Sequence, residues 1–148
     1  MTEPTAQVSK TIGAPANDVW EALTKPEIIK TYMFGADVQS NWKVGSPIRI
    51  AGEYNGKPYQ DKGEIRSFDP ARRLSYTHWS QQSGDPDTPD NYHVVTYDLE
   101  PAGEGKTKVT LTQSNLNGQV KDSDLKMRPE FEKTWASILD GLEKAVAN

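Results

Sequence analysis

The chain has 148 residues, with 17 basic against 21 acidic side chains, a formal net charge of −4, 34% hydrophobic residues and no cysteine. Such a balance argues against a nucleic-acid binder, which carries a basic face, and the missing cysteines exclude disulfides, thiolate metal sites and cysteine nucleophiles. No apolar run approaches the roughly 20 residues a membrane helix needs. The opening MTEPTAQVSK has neither the basic start nor the apolar core of a signal peptide. The expectation is a cytoplasmic protein with no membrane and no nucleic-acid partner. The length suits one domain over residues 1–148, burying about two-thirds of its unfolded surface.

Gln7 to Ile12 alternates as a first strand, with Val8, Lys10 and Ile12 on one face. Ala14-Pro15-Ala16-Asn17-Asp18 breaks that pattern and supplies a helix cap. Val19, Trp20 and Leu23 at helical spacing predict a short helix over Asp18–Thr24, and Pro26 opens a second one through Met33, closed by Gly35. Period two then takes over. Ala36–Ser40 is a weak strand; Ile48, Ile50 and Tyr54 share a face of the next. Asn55-Gly56 fits a tight primed hairpin turn, and Gln60–Phe68 returns with Ile65 inward and Lys62, Glu64 and Arg66 outward. Leu74, Tyr76 and His78 share a face before the loop 81–90, QQSGDPDTPD. His93, Val95, Tyr97 and Leu99 follow, then the Pro101–Gly105 hairpin loop and a last strand with Val109, Leu111 and Gln113 on one face.

The chain closes on a long helix from Pro129 to Val146, whose stripe is Phe131, Trp135, Ile138, Leu139, Leu142 and Val146. Pro129 suits a first helical position. Gly141 in mid-helix costs about 1 kcal/mol against Ala and leaves room for a close approach. Two short helices, about six antiparallel strands in sequential hairpins and a long terminal helix define an α+β layer structure.

Several of these stretches resemble the START-like (SRPBCC) superfamily, in the AHSA-like branch related to the activator of the heat-shock chaperone ATPase. They are Ile12–Pro15, Val19–Thr24, Pro26-Glu27, Phe68-Asp69-Pro70 with Arg73-Leu74, Tyr97–Pro101, Thr107–Thr112 and Trp135. Thr134 replaces the glycine that often precedes that tryptophan. The resemblance implies a helix-grip fold: a curved antiparallel sheet of about six or seven strands around the long C-terminal helix, with a hydrophobic cavity between them. It also brings a stress-response association.

His78 and His93 are the two histidines, and symmetric closure of the 81–90 loop makes them cross-strand neighbours on the concave side. Histidine titrates near neutral pH, so such a pair suits proton relay or ligand contact; with no third ligand in view, a zinc site is not expected. Asp85, Asp87 and Asp90 begin like a calcium loop, but Pro89 occupies a ligand position and the closing Gly and Glu are missing. Glu53, Glu64 and Asp98 fall on the outward parity, against a paired-carboxylate site. No nucleophile elbow, phosphate loop, HExxH or dinucleotide fingerprint is present.

The leading expectation is binding of a small hydrophobic or aromatic molecule between sheet and terminal helix, without cofactor or metal. The residues expected to line the site are Ile50, Tyr54, Ile65, Tyr76, His78, His93, Val95, Tyr97, Phe131, Trp135, Ile138 and Leu139. Catalysis is not the favoured reading. A cyclase, aromatase or hydrolase using His78 or His93 as general base is the first alternative, and a co-chaperone-like interaction domain the second. Free edge strands are compatible with a monomer or a homodimer.

Overall fold

The computed structural model describes residues 4–33, 35–54, 56–80, 86–118 and 120–146, with the side chains of all but Pro4 and Tyr54. Strand β1 (Pro4–Ile12) leads to helices α1 (Ala16–Thr24) and α2 (Pro26–Tyr32), then to strands β2 (Asp37–Ser40), β3 (Pro47–Tyr54), β4 (Lys57–Asp69), β5 (Arg73–Ser80), β6 (His93–Pro101) and β7 (Thr107–Asn115). Helix α3 (Asp122–Val146) ends the fold. All strands join one seven-stranded antiparallel sheet in the order β1-β7-β6-β5-β4-β3-β2. The sheet curves, α3 lies in its grip, and the architecture is an α+β helix-grip fold. No helix among the described residues is long and apolar enough to cross a membrane.

Local chemistry places the elements. Lys25 both ends α1 and begins α2, because Pro26 cannot continue a helix but is well suited to open one. The β3–β4 hairpin closes with Tyr54 paired to Lys57 and Gly56 at φ 77°, as a primed turn requires; Asn55 lies outside the described residues. In β4 the register shifts between Ile65 and Ser67, a bulge of the kind that bends a strand. Nearby, a Cβ on Gly63 would sit 1.6 Å from the Thr77 carbonyl oxygen, so this crossing of β4 over β5 admits no side chain.

Helix α3 corrects the expected boundary. It begins at Asp122 rather than at Pro129, which lies inside it. Side-chain hydrogen bonds nucleate this end instead of an apolar stripe. Asp124 Oδ2 accepts from the Lys121 backbone N–H at 2.9 Å and from Asn115 Nδ2 at 2.7 Å, the reach-back half of a capping box. Proline here leaves the Leu125 carbonyl without its helical partner, a tolerable loss where Leu125 is exposed.

The concave face and the helices share one apolar core, in which Ile12, Val19, Ile65, Val109, Leu111 and Leu142 are wholly buried. Trp20 of α1 meets Phe68 of β4 edge to face, ring centroids 5.2 Å apart. Helix α3 also covers the outer edge of β1. Arg128 Nε donates to the Thr5 carbonyl at 2.9 Å, and the Gln7 N–H donates to Glu132 Oε2 at 3.1 Å. Further along, Lys10 Nζ lies 2.7 Å from Asp140 and 3.3 Å from Glu143. The opposite edge is the four-residue β2.

Candidate ligand site between sheet and terminal helix

Strand register assembles the site. His78 pairs directly with His93 across β5 and β6, and His93 in turn with Asn115 of β7. Next to this row on β4 stands Asp61, opposite Ser80 on one side and Ile50 on the other. His78 Nε2 is 2.8 Å from Asp61 Oδ2. An ionised carboxylate only accepts, so Nε2 carries the proton and donates. His93 Nε2 lies 3.9 Å from Asp124 Oδ1, and its ring meets Phe131 of α3 edge to face at 6.2 Å between centroids. Each histidine thus has its own buried aspartate. The histidine side chains remain 28% and 30% exposed, whereas those of Asp61 and Asp124 are 12% and 8% exposed.

Below this row the face turns apolar. Ile65, Tyr76, Val95 and Gln113 form the next cross-strand layer, and Leu74, Tyr97 and Leu111 the one after. Gln113 is buried yet paired: its Oε1 accepts from Trp135 Nε1 at 2.9 Å, and its Nε2 donates to Thr5 Oγ1 at 3.2 Å. Burial pushes the hydroxyls of Tyr32, Tyr76 and Tyr97 well above the ordinary phenol range; Tyr76 adds to the rise at Tyr32 and Tyr97, while at Tyr76 itself the hydrogen bond with Tyr97 opposes it and the Asp61 charge adds to it. These three tyrosines face a cavity of about 20 Å³, shared with Leu23, Ile29, Met33, Val38, Trp42, Ile48, Ile50 and Leu74. Such a volume holds about one water molecule.

The residues expected to line a ligand site therefore divide into two groups. Ile50, Ile65, Tyr76, Val95, Tyr97, Ile138 and Leu139 are buried in the packed interior. His78, His93, Phe131 and Trp135 are half-buried and lie above it. Tyr54 belongs to β3, but its side chain lies outside the described residues. The division follows α3, whose buried residues are Asp124 and then only Ile138, Leu139 and Leu142. Its C-terminal half seals the sheet, and its N-terminal half leaves the histidine row partly open.

Sequence reasoning missed Asp61 and Asp124. Asp61 shares the parity of Ile65, so alternation carried the signal; it is a carboxylate on the inward face two steps beyond Gly63. Asp124 was hidden by placing the helix start at Pro129. Of the loop acids, Asp87 is committed to Lys62 and to the Tyr92 hydroxyl, and Lys62 holds its carboxyl below the usual range. Asp90 accepts from Asn117 Nδ2 at 3.4 Å, and Asp85 lies outside the described residues. No group of three or more His, Asp or Glu among the described residues is arranged to hold a metal ion.

The sequence pattern of the family described as Activator of Hsp90 ATPase homolog 1-like protein matches residues 13–147. The solution structure of ChR145 from Cytophaga hutchinsonii is similar at 46% identity and a TM-score of 0.77, over 97% of this chain and 93% of that one. The Aha1 dimer from Colwellia psychrerythraea is similar at 20% identity and a TM-score of 0.71, over 95% and 94%. DynU16, from the dynemicin biosynthetic locus, is similar at 18% identity and a TM-score of 0.75, over 97% of this chain and 47% of that one. No curated protein matches the chain. With the match spanning nearly its whole length, the chain belongs to the Activator of Hsp90 ATPase homolog 1-like family and is a START-like (SRPBCC) protein of the helix-grip fold.

Proposed function

We propose that this protein binds a small hydrophobic or aromatic molecule between the sheet and the N-terminal half of α3. The supporting observation is the division of the concave face. Half-buried His78, His93, Phe131 and Trp135 stand over a wholly buried apolar layer of Ile65, Tyr76 and Val95. Ligand sites combine an apolar lining with a few placed polar groups, and this face offers both. The interior cavity of about 20 Å³ is too small for an organic ligand. Binding on this reading moves the first turns of α3 away from the sheet. Hydrogen bonds hold these turns, but before Ile138 only Asp124 is buried, and sparse apolar burial is the mark of a segment that opens locally. A similar structure from a biosynthetic locus accords with small-molecule handling, and a similar dimer accords with a homodimer.

The test is to purify the protein natively, denature it and identify the released small molecules by mass spectrometry. A stoichiometric apolar compound is expected. When it is added back, the NMR signals of His78, His93, Phe131 and the Trp135 indole should shift. An empty protein whose signals stay fixed across a panel of apolar aromatic compounds overturns the reading.

One observation favours a second reading. His78 is oriented by a buried carboxylate at 2.8 Å, the arrangement that positions an imidazole as general base. On that reading the bound molecule is a substrate, and His78→Ala removes turnover.

A further inference from the structure

The Asp61 side chain is only 12% exposed, and its two carboxylate oxygens differ sharply. Oδ2 receives the His78 Nε2–H, whereas Oδ1 is buried with no hydrogen-bond partner. A buried acceptor without a donor is costly, and an uncompensated buried charge more so. No lysine or arginine among the described residues bonds to Asp61 or His78. The adjacent Lys62 projects to the other face of the sheet, over the Trp79 ring and onto Asp87. With Nε2 of His78 spent on Oδ2, Nδ1 is the ring nitrogen left to meet a ligand. This end of the concave face thus holds a carboxylate oxygen without a donor and, among the described residues, no lysine or arginine bonded to it.

We propose that Asp61 and His78 form the polar end of the ligand site and select a hydrophobic amine, an apolar molecule bearing an ammonium group; this rests on the ligand-binding reading above. An ammonium supplies several N–H donors and a positive charge at once. It satisfies Asp61 Oδ1, offsets the buried carboxylate and can donate to His78 Nδ1, while the apolar body takes the place of contacts between α3 and the sheet. A hydroxyl satisfies the acceptor but leaves the charge uncompensated. A carboxylate adds a like charge beside Asp61 and is rejected.

The test compares naphthylmethylamine, naphthalenemethanol and naphthoate, one ring system bearing an ammonium, a neutral hydroxyl and a carboxylate, by calorimetric titration of the intact protein. The amine is expected to bind about tenfold more tightly than the alcohol, and the carboxylate more weakly than either. Asp61→Asn keeps the side-chain shape and should abolish the amine preference, bringing the amine and alcohol affinities to within about twofold of each other. Equal binding of amine and alcohol, tighter binding of the carboxylate, or a preference that survives in Asp61→Asn overturns the head-group assignment and leaves the ligand-binding reading standing. Failure of all three probes to bind the wild-type protein overturns both. If Asp61→Asn does not fold, the order of the three affinities in the wild type decides alone.

Discussion

Gly141 of α3 packs directly on Tyr32 of α2: a Cβ built at residue 141 would stand 2.7 Å from the Tyr32 Cβ. That atom is fixed to the backbone and cannot swing aside as a flexible side-chain tip would. Tyr32 is also held at its far end, where its hydroxyl donates to the Ala22 carbonyl at 2.7 Å. Alanine in place of glycine gains about 1 kcal/mol of helix propensity, yet overpacking a tight contact costs about 1–3 kcal/mol. Gly141→Ala is therefore expected to lower stability on balance, by up to about 2 kcal/mol. Urea denaturation measures it, and an unchanged or raised midpoint shows that α2 and α3 can slide apart freely.

Asp124 gathers the start of α3 onto the sheet, accepting from the Lys121 N–H and from Asn115 Nδ2. Asp124→Ala removes both bonds from a buried position, and a loss of about 2 kcal/mol is expected. Hydrogen exchange should quicken in the first turns of α3 while the amides around Leu142 stay protected. A uniform loss of protection along α3 speaks against a locally held lid.

Alkaline pH should destabilise the fold through Tyr32, Tyr76 and Tyr97. Burial raises all three above the ordinary value near 10, so the folded protein keeps protons that the unfolded chain releases. This contribution is complete below about pH 10 and is lost as pH rises from there towards the folded values, at up to about 1.4 kcal/mol per tyrosine for each pH unit. Tyr92, raised to about 12 by burial and by Asp87, acts in the same direction, but it lies nearer the surface, where solvent screening makes its share smaller. Urea midpoints measured at about pH 9 and about pH 11 should fall, with tyrosinate absorbance appearing together with unfolding. A flat midpoint removes the burial account.

Trp135 contributes one measurable bond inside the half-open region. Trp135→Phe keeps most of the ring but deletes the indole N–H that serves Gln113 Oε1. A loss of about 1 kcal/mol is expected, together with weaker binding of apolar ligands. If stability is unaffected, Gln113 finds another donor, and this polar layer does not anchor α3.

The fold was legible because its signals are local and repeated. Val8, Ile65, Tyr76 and Tyr97 lie on the faces that alternation gives them, and His78 meets His93 because a symmetric hairpin leaves the pair no other register. The start of α3 was not legible, since Asp124 nucleates it through a partner, Asn115, that only the folded sheet brings near. Asp61 was passed over for a related reason. A single inward carboxylate has no periodicity, and its meaning depends on the His78 ring across the next strand. How tightly the interior fills is likewise beyond any reading of parity, because the volume left beside Tyr32 and Tyr97 depends on rotamers and helix placement.

The side chains of α3 that bond the Thr5 carbonyl and the Gln7 N–H have a consequence for assembly. An uncovered strand edge invites another chain to add to it. With these two β1 groups occupied, the other end strand of the sheet is β2, which is only four residues long. Strand addition at β1 would first have to displace both of these bonds, so the terminal helix guards this edge with its own side chains.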